Sequence, residues 1–202
     1  HEAEPHASDL LEGTSVESRP YQLRILSKAL CMFRGTFRDR AGNLEPTAHS
    51  VMIESPTGSG KTVMGLALAR QMQREFAFSV GWVAMRRNLL AQAEEEKRRW
   101  GFDVDLVTIS MFDKDPPPVD FLIVDEAQHD AAMSMANLHC NIRPRKVLGL
   151  TATPLMWVMV SVPPVVFVSL PRMSSVLVCP GVIVRLSSIA TSVVWTESAP
   201  IR

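Results

Sequence analysis

The stretch VMIESPTGSGKT, residues 51–62, constrains the chain more than any other. Val51–Glu54 is a short apolar run of the kind buried in a parallel sheet, and it ends directly in a loop containing Gly58 and Gly60. From Thr62 to Phe76 the apolar residues recur at helical spacing. Strand, glycine loop and helix in that order form a phosphate cradle. Glycines let the backbone turn its N–H groups inward without side-chain clashes, and the helix start adds the positive end of its dipole. Lys61 places a positive charge where β- and γ-phosphates would lie, and the Thr62 hydroxyl suits Mg²⁺. Pro56, Thr57, Gly58, Ser59, Gly60, Lys61 and Thr62 are therefore expected to hold ATP with Mg²⁺. A bare glycine turn beside a surface lysine is the plainer alternative, and the agreement of all three elements weighs against it.

The rest of the chain supplies the repeating units such a loop needs. Leu23, Leu26, Leu30 and Phe33 mark one helical stripe between Tyr21 and Phe37, after Pro20. Val80–Met85 reads as a second strand and Asn88–Trp100 as a helix with a charged face. Val104–Ile109, Phe121–Val124 and Val147–Leu150 supply three further strands, with Pro116–Pro118 in an exposed loop. Alternating strands and helices predict an α/β fold with a mostly parallel central sheet flanked by helices. At 47% apolar residues the chain can bury such a core.

Boundaries follow from composition. Residues 1–18 are polar and acidic without a sustained period and read as a flexible lead-in. The ATP-binding domain is placed at 19–154. Past Pro154 only Arg172, Arg185, Glu197 and Arg202 carry charge, and valine and serine dominate, so 155–202 reads as an atypical hydrophobic tail. Pro163 and Pro164 interrupt its longest apolar run, which is shorter than the ~18–20 residues a membrane span needs, so no membrane is expected. Such a tail suits a non-native or truncated continuation, and the His1 start suits a fragment. Cys31, Cys140 and Cys179 are dispersed, which argues against a disulfide framework or a zinc ribbon and fits a cytoplasmic setting. Basic and acidic residues balance at 21 each, so any contact with nucleic acid must be local.

FLIVDEAQ, residues 121–128, ends four apolar residues in two carboxylates, at the end of a buried strand where open α/β sheets bind ligands. Asp125 is placed to hold Mg²⁺, through water for an ion that keeps its hydration shell, and Glu126 to orient and deprotonate an attacking water. Taken alone, the pair serves equally well as a solvated helix cap. Beside a phosphate loop it reads as a site.

RPYQ (19–22), SPTGSGKT (55–62), VAMRRNLLAQ (83–92), VTIS (107–110), VDEAQH (124–129) and LTATP (150–154) together resemble the first-domain motifs of superfamily 2 helicases. The group most similar is the DEAD/DEAH-related set of restriction-enzyme translocating subunits and DNA-repair helicases. Ser55, where the general loop pattern has glycine, suits the helicase form. The resemblance implies a RecA-like P-loop fold, that Gln22 reads the adenine edge, that Tyr21 or Arg19 packs near the base, and that Gln128 and His129 sense the γ-phosphate. It places Arg87, Gln92, Thr108 and Ser110 on a nucleic-acid backbone, DNA ahead of RNA, and gives Thr151, Ala152 and Thr153 the coupling of hydrolysis to movement. Arg86 and Arg87 read equally as a solvated surface pair, the Gln22 region as a helix start, and Thr151–Thr153 as a strand-exit turn.

In this family a second RecA-like domain supplies an arginine finger worth roughly 10³–10⁵ in rate, and no second set of motifs is present in these residues. The expected function is ATP hydrolysis driving nucleic-acid translocation in the intact protein, with slow turnover and no unwinding by this chain alone. A non-catalytic nucleotide-dependent binding module and an inactive fragment are the alternatives.

Overall fold

A computed structural model of the chain describes residues 7–39, 41–125, 138–152, 166–170, 173–178 and 195–196. After a single 3-10 turn at Ala7–Leu11, the elements run α1 (Pro20–Arg34), β1 (Ser50–Glu54), α2 (Lys61–Phe76), β2 (Val80–Ala84), α3 (Arg87–Trp100), β3 (Leu106–Ser110), β4 (Phe121–Val124) and β5 (Lys146–Thr151). Residues 138–142 are helical and precede β5. Strands β1 to β5 pair in the order β3-β2-β4-β5-β1, all parallel. Beyond β1 lies β8 (Trp195–Thr196), parallel and two residues long, while β6 (Val166–Leu170) and β7 (Met173–Val178) form a separate antiparallel pair.

Both faces of the main sheet are covered, which is why its central strands are unbroken apolar runs. β2 (VGWVA) and β4 (FLIV) are buried at every position. Alternate residues go to opposite sides. Val80, Trp82, Phe121, Ile123, Leu148 and Leu150 join α1 and α2 in one apolar cluster. Val83, Leu122, Val124 and Val147 meet Leu138 and Ile142 in the other. Helix α2 is buried nearly all round from Val63 to Arg70, because α1, α3 and the N-terminal turn all pack on it. Gly65 permits its close approach to the sheet, since a Cβ there would lie 2.8 Å from the Trp82 ring.

The sequence placed residues 1–18 outside the domain as a flexible lead-in, and the structure corrects this for the part it describes. Leu10 and Leu11 are buried in the main cluster. Arg70, itself buried, donates to the carbonyls of Leu10 (2.7 Å) and Glu12 (3.0 Å). One turn is too short to show a period, and its anchor lies sixty residues away in sequence. Other boundaries shift slightly: α1 ends at Arg34 because Gly35 adopts a left-handed conformation, and β3 begins at Leu106. Among the described residues no helix is long and apolar enough to cross a membrane.

Behind β5, burial holds the His139 imidazole down to about 4, and the nearby His49 adds to the effect. Its Nε2 is buried without a hydrogen-bond partner among the described residues. His49 is also held below its ordinary value, chiefly by burial, with the Pro144 carbonyl opposing and the Lys146 charge assisting. Both rings therefore fold neutral, and the unfolded chain takes up their protons first as the medium is acidified. The His139 contribution is complete above pH 6.5 and is lost as pH falls from there towards 4, amounting to roughly 3 kcal/mol. Urea unfolding across this window should show stability falling with acidification in the wild type and a visibly shallower slope in His139→Leu. Equal slopes would contradict the assignment.

Candidate functional site

Parallel pairing delivers three segments to one edge of the sheet. β1 opens into Ser55, β4 into Asp125, and β5 ends at Thr151, opposite Glu54 in the register. The Ser55 N–H donates to the Thr151 carbonyl at 2.9 Å, so the loop leaving β1 starts against β5. Two glycines in the left-handed region then shape it, Gly58 at φ +81° and Gly60 at φ +84°, before α2 begins at Lys61.

The loop is held from outside as well as by its own turns. The Ser59 carbonyl accepts from the Tyr21 hydroxyl at 2.7 Å and from Gln22 Nε2 at 2.9 Å. Gln22 Oε1 accepts the Arg19 N–H at 3.2 Å, so this buried amide ties the start of α1 to the loop at both ends. Lys61 Nζ donates to the carbonyls of Ser55 (3.0 Å) and Pro56 (3.3 Å), which keeps the ammonium folded over the loop. The Ser59 hydroxyl is buried and has no hydrogen-bond partner among the described residues.

A cleft of about 820 Å³ runs along this edge. Lys61, Thr62 and Asp125 all line it, and Asp125 is only 7% exposed, its N–H donating to the Val83 carbonyl at 2.8 Å. Thr57, Gly58, Ser59, Gly60, Arg19 and Gln22 line it too, whereas Tyr21 reaches the loop from behind and Pro56 is exposed on it. Thr151 is buried and Ala152 half-buried, next to the start of the loop. Glu126, Gln128, His129 and Thr153 lie outside the described residues. Arg87 is exposed at the first turn of α3, Thr108 is exposed on the edge strand β3, and Ser110 ends that strand. Gln92, on the same helix as Arg87, lines the cleft with the glycine loop.

The opposite wall is one that no motif announces. It consists of Ser15–Ser18 and one face of α3 with Leu89, Glu96, Arg99 and Trp100. Leu89, Gln92, Glu96 and Trp100 do share a helical stripe, a visible signal, but the pattern alone does not say what the stripe faces.

A parallel sheet with a glycine loop at the end of its first strand and an acid at the end of β4 defines a RecA-like P-loop domain of the superfamily 2 helicase kind. The family described as "Type III restriction enzyme, res subunit" matches residues 15–116, and the chain belongs to it. Solved structures of the same fold include the SWI2/SNF2 ATPase core domain of Sulfolobus solfataricus, at 18% identity and a TM-score of 0.54, covering 72% of this chain and 34% of that one. The UvsW helicase from bacteriophage T4 matches at 13% identity and a TM-score of 0.51, covering 68% of this chain and 53% of that one. A nuclease-deletion mutant of the type ISP restriction-modification enzyme LlaGI, in complex with a DNA substrate mimic, matches at 17% and 0.51, covering 72% of this chain and 18% of that one. The chain thus spans between about a fifth and a half of the structures it resembles.

The two loop glycines should respond differently to substitution. A Cβ on Gly58 meets nothing within 4 Å, so Gly58→Ala should cost only about 1 kcal/mol for the left-handed alanine. On Gly60 it would stand 2.5 Å from Gln22 Nε2 and drive that buried amide off the Ser59 carbonyl, raising the cost to about 2–3 kcal/mol. In a Gln22→Ala background the excess should vanish, which a double-mutant cycle by chemical unfolding would read. An excess that persists would show that Gln22 is not the cause.

Proposed function

We propose that the cleft binds ATP with Mg²⁺ and that the chain is the nucleotide-binding motor domain of an ATP-dependent nucleic-acid helicase or translocase. One observation carries the reading: Lys61, Thr62 and Asp125 line a single cleft although they come from different strand ends. The residues present fit a triphosphate. The buried Ser59 hydroxyl lacks a partner among the described residues, Gly58 leaves open space over the loop, and the first turn of α2 directs its N–H groups to the same side. They also fit the metal, since the Thr62 hydroxyl and the Asp125 carboxylate are hard oxygen donors of the kind Mg²⁺ takes. When bound, Mg²⁺ neutralises charge on the β- and γ-phosphate oxygens.

Lys61 binds phosphate and supplies the compensating positive charge, exchanging the Ser55 and Pro56 carbonyls for a stronger charged partner. Asp125 would help hold the metal, with Thr62. Glu126, next in sequence, takes the proton from the attacking water. Tyr21, Gln22 and Arg19 fix the loop and the base end of the nucleotide. Thr151 and Ala152 relay changes at the loop to β5, because the Ser55 N–H rests on the Thr151 carbonyl. Gln128, His129 and Thr153 are assigned to γ-phosphate sensing and coupling by their motifs.

Nucleic acid is the proposed track. The LlaGI structure holds a DNA substrate mimic, which supports DNA over RNA here, with Arg87, Gln92, Thr108 and Ser110 as the proposed backbone contacts. Such contacts give affinity without sequence information.

The 202-residue chain should bind Mg-ATP and turn it over slowly. Lys61→Ala should weaken binding by about tenfold or more, the loss of a charge-assisted contact. Glu126→Gln should retain binding while turnover drops to background. Competition binding and phosphate release, with and without DNA, measure both. Wild-type affinity in Lys61→Ala would overturn the site. Turnover unchanged in Glu126→Gln would move the reading towards a binding module.

A further inference from the structure

We infer that Phe112 packs against an unpaired base of a single strand lying on the proposed nucleic-acid track. This rests on the nucleic-acid reading above and extends it to a residue that no motif assigns.

Strands β2 and β3 end together. Ala84 stands opposite Ser110 in the parallel register, and the Met111 N–H donates to the Ala84 carbonyl at 3.3 Å, so the two chain segments leave the sheet side by side. One leads to Arg86 and Arg87, both exposed at the start of α3. The other leads to Phe112, two residues past Ser110. At 61% exposure Phe112 is the most exposed of the large apolar side chains among the described residues. Its setting is nonetheless firm. Met111 before it and Val119 after it are buried with Val83 and Val124 in one apolar cluster, and Pro116 is buried between them. The Asp113 N–H closes a turn onto the Ser110 carbonyl at 3.0 Å, and the Phe112 N–H donates to the Ser110 hydroxyl at 3.3 Å. That hydroxyl keeps its own hydrogen for a phosphate oxygen, so one turn sets both the backbone contact and the ring.

Charge decides which part of a strand meets the ring. Arg86 and Arg87 draw a phosphate backbone, and the first turn of α3, which holds no acid, adds its amide N–H groups. On the other flank Asp113 and Asp115 follow Phe112 and outnumber Lys114. A phosphate is attracted to the first flank and repelled from the second, so a strand lying on Arg87 and Ser110 turns its uncharged side to Phe112. In a single strand that side is a base with an open face, and an open base face packs on an aromatic ring.

Two probes separate the ring from the charges: a labelled oligothymidylate, and an abasic oligonucleotide with the same sugars and phosphates and no bases. Each would be titrated against the full chain by fluorescence anisotropy over a series of salt concentrations. Phe112→Ala should weaken oligothymidylate about tenfold while the abasic strand shifts by less than about twofold, with the salt dependence unchanged. Phe112→Leu should behave in the same way, and Phe112→Trp, which keeps a flat ring, should hold wild-type affinity. Arg87→Ala should weaken both strands alike and make the salt dependence shallower. Wild-type affinity for oligothymidylate in Phe112→Ala overturns the inference and points to a protein contact for the ring, with the backbone track left standing. Equal weakening of both strands by Phe112→Ala also overturns it, by showing that the residue acts on the surface as a whole. A wild-type chain that binds neither strand removes the nucleic-acid track itself.

Discussion

Parallel pairing of β1, β5, β4, β2 and β3 brings the carboxyl ends of all five strands to one edge, and the rest of the site depends on that. Ser55, Asp125 and Thr151 are far apart in sequence, yet each follows or ends a strand at the same level of the sheet. An antiparallel partner at any of these positions would send one of them to the opposite edge. The register matters equally: Glu54 opposite Thr151 is what sets the first loop amide against the β5 carbonyl.

Around this edge the helices act as fixtures. Helix α2 carries the loop lysine at its start and is buried along most of its length, so the cradle is mounted on the most enclosed helix of the domain. Helix α1 holds the loop through Tyr21 and Gln22, and α3 holds Ser15 through its last carbonyls. Arg70 ties the N-terminal turn to α2 with two carbonyl bonds, and its guanidinium lies 5.4 Å from the Phe102 ring centroid. Burial of that charge is matched by specific partners rather than left to solvent. A segment with little pattern of its own thereby becomes part of the cleft wall.

Much of this was legible from residues alone, for reasons that can be named. VMIESPTGSGKT announces strand, loop and helix because each has a different residue requirement, and FLIVDEAQ announces a buried strand by its unbroken apolar run. The helix starts and strand positions fell within a few residues for the same reason. What escaped was tertiary. Leu10 and Leu11 gain their place from Arg70, sixty residues on, and Ser15, in a segment that has no pattern, gains its place from the last carbonyls of α3. Gln92 also lines the cleft, a position its motif alone does not announce. Nor does the sequence show how Gln22 divides its amide between the loop carbonyl and the start of α1.

Thr62 and Asp125 are proposed to serve one metal beside one triphosphate. Mn²⁺ in place of Mg²⁺, with a non-hydrolysable ATP analogue, makes this visible by anomalous scattering from a crystal of the chain. The account predicts a single strong anomalous peak between the Thr62 hydroxyl and the Asp125 carboxylate, with phosphate density against the amides of residues 58–62. A metal peak elsewhere, or analogue density that leaves the glycine loop empty, would contradict it.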